Sequence, residues 1–373
     1  MSSTKTPFYY GGVAEENYFC NRVEEIEVVK KDINNGLNIL IYAPRRFGKT
    51  SLVLKALKEL NNRYIFIDLM GITDEIEFIN AYFNAISISL ETTTEKTVRY
   101  FKKVLKIRPN INITFDMEGS PSYSLSFTKS EKGNVLEEIM NIPFEHAKHS
   151  KEKPIVVLDE FQEVSKLNLE EKLRSLIQLH GNKVSYIFLG SKKSIMQKLF
   201  FNKNSAFYKS VKHLPIKGIA SSEWSSFIKK GFKNNGKKIS DKFIKNILSI
   251  SKGFPYYTQQ IAYELYNSCE PASAVDDIKM KETLRSVLDR EEDLFLQEWE
   301  NLSINQRKAL KLIITANGEN LYEGKIMDQF NMNSSILKKA VEGLVNKDVI
   351  DKSGKRYYMQ DPMFEYYLHE RLL

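Results

Sequence analysis

"YAPRRFGKTS", residues 42–51, is the stretch on which the reading of this chain turns. A phosphate-binding loop of the Gly-x-x-x-x-Gly-Lys-Ser/Thr kind needs inward-facing backbone N–H groups, a lysine, and a hydroxyl where a helix begins. Gly48, Lys49 and Thr50 fill the last three places, but Ala43 stands where the first glycine belongs. Pro44 makes that substitution tolerable, because the residue before a proline is pushed into extended backbone, where a Cβ costs little. The loop follows the apolar run "LNILIYA" (37–43), which predicts a buried strand. After it, "SLVLKALKELNN" (51–62) puts Leu52, Ala56, Leu57 and Leu60 on one helical face. This strand–loop–helix setting separates the motif from a chance Gly-Lys-Thr triplet.

In such a loop Gly48 lets the backbone pass close to the phosphates, Lys49 bridges the terminal ones, and Thr50 holds Mg²⁺. The nucleotide-contacting stretch is read as Ala43, Pro44, Arg45, Arg46, Phe47, Gly48, Lys49, Thr50 and Ser51. A second motif supports the first. "KPIVVLDEF" (153–161) is an apolar strand ending in Asp159-Glu160. Carboxylates at the C-terminal edge of a parallel strand lie beside the ligand crevice of an α/β sheet. Asp159 is assigned to the Mg²⁺ shell through water, and Glu160 to orienting and deprotonating the attacking water.

The organisation around these motifs alternates strand and helix patterns over the first ~215 residues, which predicts a parallel sheet. "RYIFIDLM" (63–70) and "VSYIFLGS" (184–191) are two more buried strands, and "DEIEFINAYFNAISISL" (74–90) is helical. Residues 91–132 break the rhythm and are read as an irregular insertion, within which "INITFDMEGSPSYSLSF" (111–127) alternates like a β-hairpin around Gly119-Ser120-Pro121. About four helices are expected from 219 to 301. Three amphipathic helices and a hairpin turning at Ser353-Gly354 follow in 302–373, a winged-helix arrangement. The fold expected is an α/β P-loop NTPase core with a parallel sheet (1–218) and an inserted β-hairpin, a helical lid (219–301) and a C-terminal winged-helix domain (302–373).

The chain has 373 residues, 42% hydrophobic and 27% charged, with a net charge of +8. The charge makes anionic partners plausible without choosing among them. Cys20 and Cys269 are far apart and outside any metal-ligand spacing, so a disulfide framework is not expected and a reducing cytoplasm is. The N-terminus lacks a signal peptide's apolar core, and no apolar run approaches the length of a membrane span.

With these residues in view, the chain resembles the archaeal-type ATPases of the AAA+/STAND assemblage, including their bacterial relatives. "YFCNRVEEIEVV" (18–29) is similar to the family's box ahead of the P-loop, which implies that Arg22 and Glu25 help frame the base. The twin arginines of "PRRFGKTS" and the extended acidic motif "DEFQEV" (159–164) are also typical. "FLGSKKSIM" (188–196) resembles the sensor strand, implying that Ser191 lies near the γ-phosphate. "SKGFPYYTQQIA" (251–262) resembles the lid motif that sets Gly253 and Pro255 beside the adenine. Two departures stand out. Where many relatives carry an arginine finger, "SAFYKSVK" (205–212) offers Lys209, Ser210 and Lys212, leaving Arg45, Arg46 or Arg174 to compensate. In the C-terminal "YYMQDPMFEYYL" (357–368), Gln360 replaces the histidine that senses ADP in STAND proteins.

Other constellations carry less. His146 and His149 form HxxH with no further ligand nearby, and are read as a solvated helix face. The lysine run of 229–238 is read in the same way. Lys338 and Lys339 on the expected recognition helix, with Lys352, Lys355 and Arg356 on the wing, could meet DNA phosphates, but Glu342, Asp348 and Asp351 dilute the patch. The reading is therefore a Mg²⁺-dependent, slow ATPase that works as a nucleotide-driven switch, with ATP and ADP as its ligands. The alternative is an initiator-like or regulatory DNA-binding protein that uses ATP as a ligand. Self-association and a protein partner stay open, and no membrane partner is expected.

Overall fold

The apolar runs that form the middle of the sheet become strands because their β-branched and aromatic residues are buried on both faces, as in parallel sheets covered by helices. In chain order the strands are β1 (Ile39–Tyr42), β2 (Tyr64–Asp68), β3 (Asn110–Phe115), β4 (Pro121–Ser126), β5 (Ile155–Asp159), β6 (Ser185–Gly190), β7 (Lys212–His213), β8 (Ile350–Ser353) and β9 (Arg356–Met359). The computed structural model describes residues 6–14, 16–90, 92–150, 153–216, 218–233 and 236–373. Residue 91 of the expected insertion and residues 234 and 235 of the lysine run lie outside these.

The chain divides into two compact units: a sheet unit of Val23–Ala43 and Lys49–Ile216, and a helical unit of Met1–Arg22, Pro44–Gly48 and Lys217–Leu373. The sheet unit holds a five-stranded sheet in the order β2-β5-β6-β1-β7. Every pairing in it is parallel. β5 and β6 are buried along their whole length. Pairing brings Tyr42 opposite Gly190 and Asp68 opposite Asp159, so the C-terminal ends of four strands share one edge. One hydrophobic core runs beneath, with Phe161, Phe188, Phe200 and Phe207 mutually packed at ring distances between 4.6 and 5.8 Å.

The insertion is more ordered than expected. The hairpin is there, with β3 antiparallel to β4. Ahead of it, however, Thr94–Val104 is a helix where an irregular stretch was expected. Its threonine-rich start has weak helix propensity, and burial of Thr97 and Phe101 decides the matter. The Phe101 ring packs 4.6 Å from that of Phe83. β7 was also not foreseen, being only two residues long.

In the helical unit, helices Ser221–Lys233, Asp241–Ser251, Pro255–Ser268 and Asp277–Glu300 match the expected number. Helices Ile304–Thr315, Gly324–Gln329 and Ser334–Asn346 follow, then the β8–β9 hairpin and a last helix, Pro362–Arg371. Ser303 opens the first of these through a reciprocal capping box with Gln306. Both cysteines are free and buried. Among the described residues no helix is long and apolar enough to cross a membrane.

Candidate nucleotide site

The acidic end of β5 is shaped by a backbone turn. Glu160 takes a left-handed φ of 50°, uncommon for a residue with a Cβ. Phe161, fully buried against Phe188, holds that turn in place. The Glu160 N–H donates to Asp159 Oδ1 at 2.8 Å. Thr50 Oγ1, on the first turn of helix Lys49–Leu60, donates to Asp159 Oδ2 at 2.6 Å. Burial pushes the Asp159 carboxyl above the ordinary carboxylate range, against the pull of the Thr50 hydroxyl and the Glu160 N–H. Lys49 is buried, and its Nζ donates to the Ala43 carbonyl at 3.0 Å. The neighbouring Ser51 is half-buried in the same helical turn.

Glu160 is held on its other side. Ser191 Oγ donates to Glu160 Oε2 at 2.7 Å, and Gln162 Nε2 donates to the same oxygen. Gln162 also reaches Ser191 Oγ at 3.2 Å, while its Oε1 accepts the Ser191 N–H at 3.3 Å. Sequence reasoning passed over Gln162. Its signal was its place inside "DEFQEV", just beyond the acidic pair.

Ala43 stays outside the left-handed region, and its N–H donates to the Gly190 carbonyl at 3.3 Å, prolonging the β1–β6 ladder. The left-handed residues of the loop are Arg46 (φ 64°) and Gly48 (φ 81°). A Cβ at Gly48 would meet only Pro255 Cγ, at an ordinary 3.8 Å, so backbone conformation and not space asks for glycine there.

Residues Pro44–Gly48 group with the helical unit. Phe47 packs edge-on to Phe254 with centroids 5.0 Å apart, and the buried Arg22 guanidinium lies 5.4 Å from the Phe47 ring centre. Gly253, next to Phe254, accepts a hydrogen bond from Trp224 Nε1 at 3.2 Å through its carbonyl. Arg46 donates to the Tyr257 hydroxyl, lies 3.6 Å from Glu291 and 3.9 Å from Asp361, and sits over the Tyr256 ring at 4.6 Å. Tyr257 in turn donates to Asp361, whose Oδ1 caps the last helix by accepting the Met363 and Phe364 N–H groups. Burial pushes the Glu298 carboxyl up to about 7, Asp361 reinforces this, and Arg46 and Arg45 oppose it. None of Tyr257, Glu291, Glu298 or Asp361 was singled out from sequence for this contact. The Asp361-Pro362 pair, a cap followed by a first-turn proline, was the one local signal.

Most residues considered for the missing finger are otherwise engaged. Lys212 pairs with Asp32 at 2.7 Å and sits beside Ile39, at the end of β1 away from the loop. Arg174 Nε donates to the Ala206 carbonyl at 3.1 Å and Ser210 Oγ to that of Phe207 at 2.7 Å. Lys209 lies over the neighbouring Tyr208 ring. Arg45 is exposed. His146 and His149 are exposed in the last turn of helix Lys132–His149.

A parallel sheet in the order β2-β5-β6-β1-β7, with a lysine-bearing loop after β1 and a carboxylate pair after β5, defines a P-loop ATPase. The chain belongs to the family of ATPase domains found predominantly in Archaea, whose model matches residues 19–261. A second family model, described as a probable winged helix domain, matches residues 293–370. The chain is similar to the Walker-type ATPase of Pyrococcus abyssi at 18% identity, with 95% of this chain and 97% of that one covered and a TM-score of 0.68. It is similar to the Aeropyrum pernix ORC2 protein in its ADPNP–ADP complexes at 14% identity, covering 97% and 98%, TM-score 0.56. It is also similar to the Aeropyrum pernix ORC1 protein in complex with DNA at 11% identity, covering 95% and 93%, TM-score 0.50. No curated protein sequence matches the chain.

Proposed function

We propose that the chain binds ATP with Mg²⁺ and hydrolyses it slowly, using the nucleotide state as a switch of the STAND kind. The observation that carries this is the 2.6 Å contact of Thr50 Oγ1 with Asp159 Oδ2, beside the buried Lys49. A hydroxyl and a carboxylate oxygen brought together are the hard donors that Mg²⁺ prefers. Bound there, the ion would neutralise charge on the phosphate oxygens. Lys49 would exchange its bond to the Ala43 carbonyl for the terminal phosphates. Glu160 would accept the proton of the attacking water, with Ser191 and Gln162 orienting its carboxylate. The segment 205–212 lacks an arginine, so slow turnover is expected. Arg22, Gly253 and Pro255 would frame the base. In this reading 1–218 is the ATPase core, 219–301 the lid and 302–373 the regulatory winged helix. The free, buried cysteines suit a cytoplasmic protein.

The test compares nucleotide binding and turnover in wild type, Lys49→Ala and Glu160→Gln. Lys49→Ala is expected to lose ATP affinity. Glu160→Gln is expected to retain ATP while turnover falls roughly 10²–10⁴-fold. Wild-type turnover is expected well below the enzyme median of about 10 s⁻¹. Variants indistinguishable from wild type would sink the reading.

A second reading is favoured by the exposure of Lys338, Lys339, Lys352, Lys355 and Arg356 on helix Ser334–Asn346 and the β8–β9 hairpin. In it the winged helix contacts duplex DNA phosphates, and ATP is a ligand that regulates this contact.

A further inference from the structure

We propose that β3 is an open sheet edge that pairs antiparallel with β3 of a second copy of this chain, across a two-fold axis at Ile113. The two hairpins would then form one four-stranded sheet.

The backbone of the hairpin shows which edge is open. The Asp116 N–H donates to the Ser120 carbonyl at 3.1 Å, which makes 116 and 120 a hydrogen-bonded pair. In an antiparallel ladder such pairs alternate with pairs whose N–H and C=O groups point outward. From the register Thr114↔Ser122 and Ile113↔Tyr123, residues 111, 113 and 115 of β3 and 121, 123 and 125 of β4 therefore face outward. On β4 these positions are blunted. Pro121 has no N–H, the Tyr123 N–H donates to Asn84 Oδ1, and the Leu125 N–H donates to Asn80 Oδ1, both at 2.8 Å. On β3 the outward N–H groups of Ile111, Ile113 and Phe115 find no acceptor among the described residues.

Nothing in β3 itself defends that edge. The strand "NINITF" carries no charge, proline or glycine, the usual protections against edge pairing. At its end Phe115 is 62% exposed and Met117 fully so. Charge decides what fits. The approach to β3 is basic, with Lys102, Lys103, Lys106 and Arg108 all exposed, while the turn beyond it exposes Asp116 and Glu118. A strand positive at one end and negative at the other is complementary to itself when antiparallel. With Ile113 opposite its own copy, Ile111 faces Phe115, and the basic approach of each chain, Arg108 included, comes alongside the acidic turn of the other, Glu118 included. Within one chain Arg108 and Glu118 lie at opposite ends of the hairpin and cannot meet. The pairing requires no nucleotide, so it stands or falls apart from the ATPase reading.

The test is sedimentation of the full chain without nucleotide at low ionic strength. Wild type is expected to show a concentration-dependent dimer. Phe115→Pro removes one outward donor and no hairpin bond, and is expected to shift the equilibrium to monomer with an unchanged circular dichroism spectrum. Arg108→Glu and Glu118→Arg are each expected to weaken the dimer roughly tenfold, and the double variant to restore it, because only pairing between copies reunites the swapped charges. A wild-type chain monomeric up to roughly 10⁻⁴ M overturns the proposal. So does a dimer indifferent to Phe115→Pro, or a double variant no tighter than the single ones.

Discussion

Lys49, Thr50, Asp159 and Glu160 were legible because their setting is local: Lys49 and Thr50 begin the helix that follows one apolar strand, and Asp159 and Glu160 close another. Arg46 was not, since its partners Tyr257, Glu291 and Asp361 lie more than two hundred residues downstream. Around it, Glu298 carries a pH dependence whose sign can be worked out. Its carboxyl titrates near 7 in the fold instead of near 4.5, so the folded chain keeps a proton that the unfolded chain releases. Stability from this group is fully present below pH 4.5 and is lost as pH rises to 7. Glu298→Gln cannot titrate. Its melting temperature should match wild type near pH 4.5 and exceed it increasingly towards pH 7. A constant difference across that range would count against Glu298 as the source.

At the scale of elements, Phe8, Tyr9 and Tyr18 belong to the helical unit. Phe8 is fully buried, with its ring 5.7–5.9 Å from those of Phe227, Phe232 and Tyr266. Gly231 makes room for it, since a Cβ there would come within 2.5 Å of the Phe8 ring. The Tyr9 N–H donates to Gln259 at 3.2 Å, and Gln259 donates to the Tyr18 carbonyl at 2.9 Å. Phe8→Ala is expected to cost about 3–5 kcal/mol. A lower urea midpoint in tryptophan fluorescence would show it, because both tryptophans, Trp224 and Trp299, belong to that unit. Gly231→Ala should be destabilising in wild type and nearly neutral beside Phe8→Ala. Additive costs would mean that the two positions do not share this space. "TPFYY" contained no periodicity from which such docking could be read.

For the whole molecule, the excess of 55 Lys and Arg over 47 Asp and Glu sets how it meets polyanions. If the winged helix contacts DNA, affinity should fall steeply with salt. Changing Lys338 and Lys339 to Glu should then weaken binding across sequences and reduce the salt slope by about one unit per lost phosphate contact. Binding that ignores either salt or the charge reversal would remove DNA from the account. The two compact units share this charge, yet their segments interleave: the loop residues Pro44–Gly48 group with chain that begins more than 160 residues later.

The sequence by itself determined the parallel strands, the hairpin, the winged helix and the placing of the Gly48-Lys49-Thr50 loop between β1 and its helix, because periodicity, caps and motif spacing act within a few residues. It even anticipated why Ala43 is acceptable, through the proline beside it. Tertiary structure alone decided that Arg46 answers to Asp361, that Gln162 and Ser191 hold Glu160, that Phe8 is core, and that one edge of the hairpin is open. These depend on which distant groups share a low-dielectric site or an unpaired backbone edge, and no local pattern encodes that.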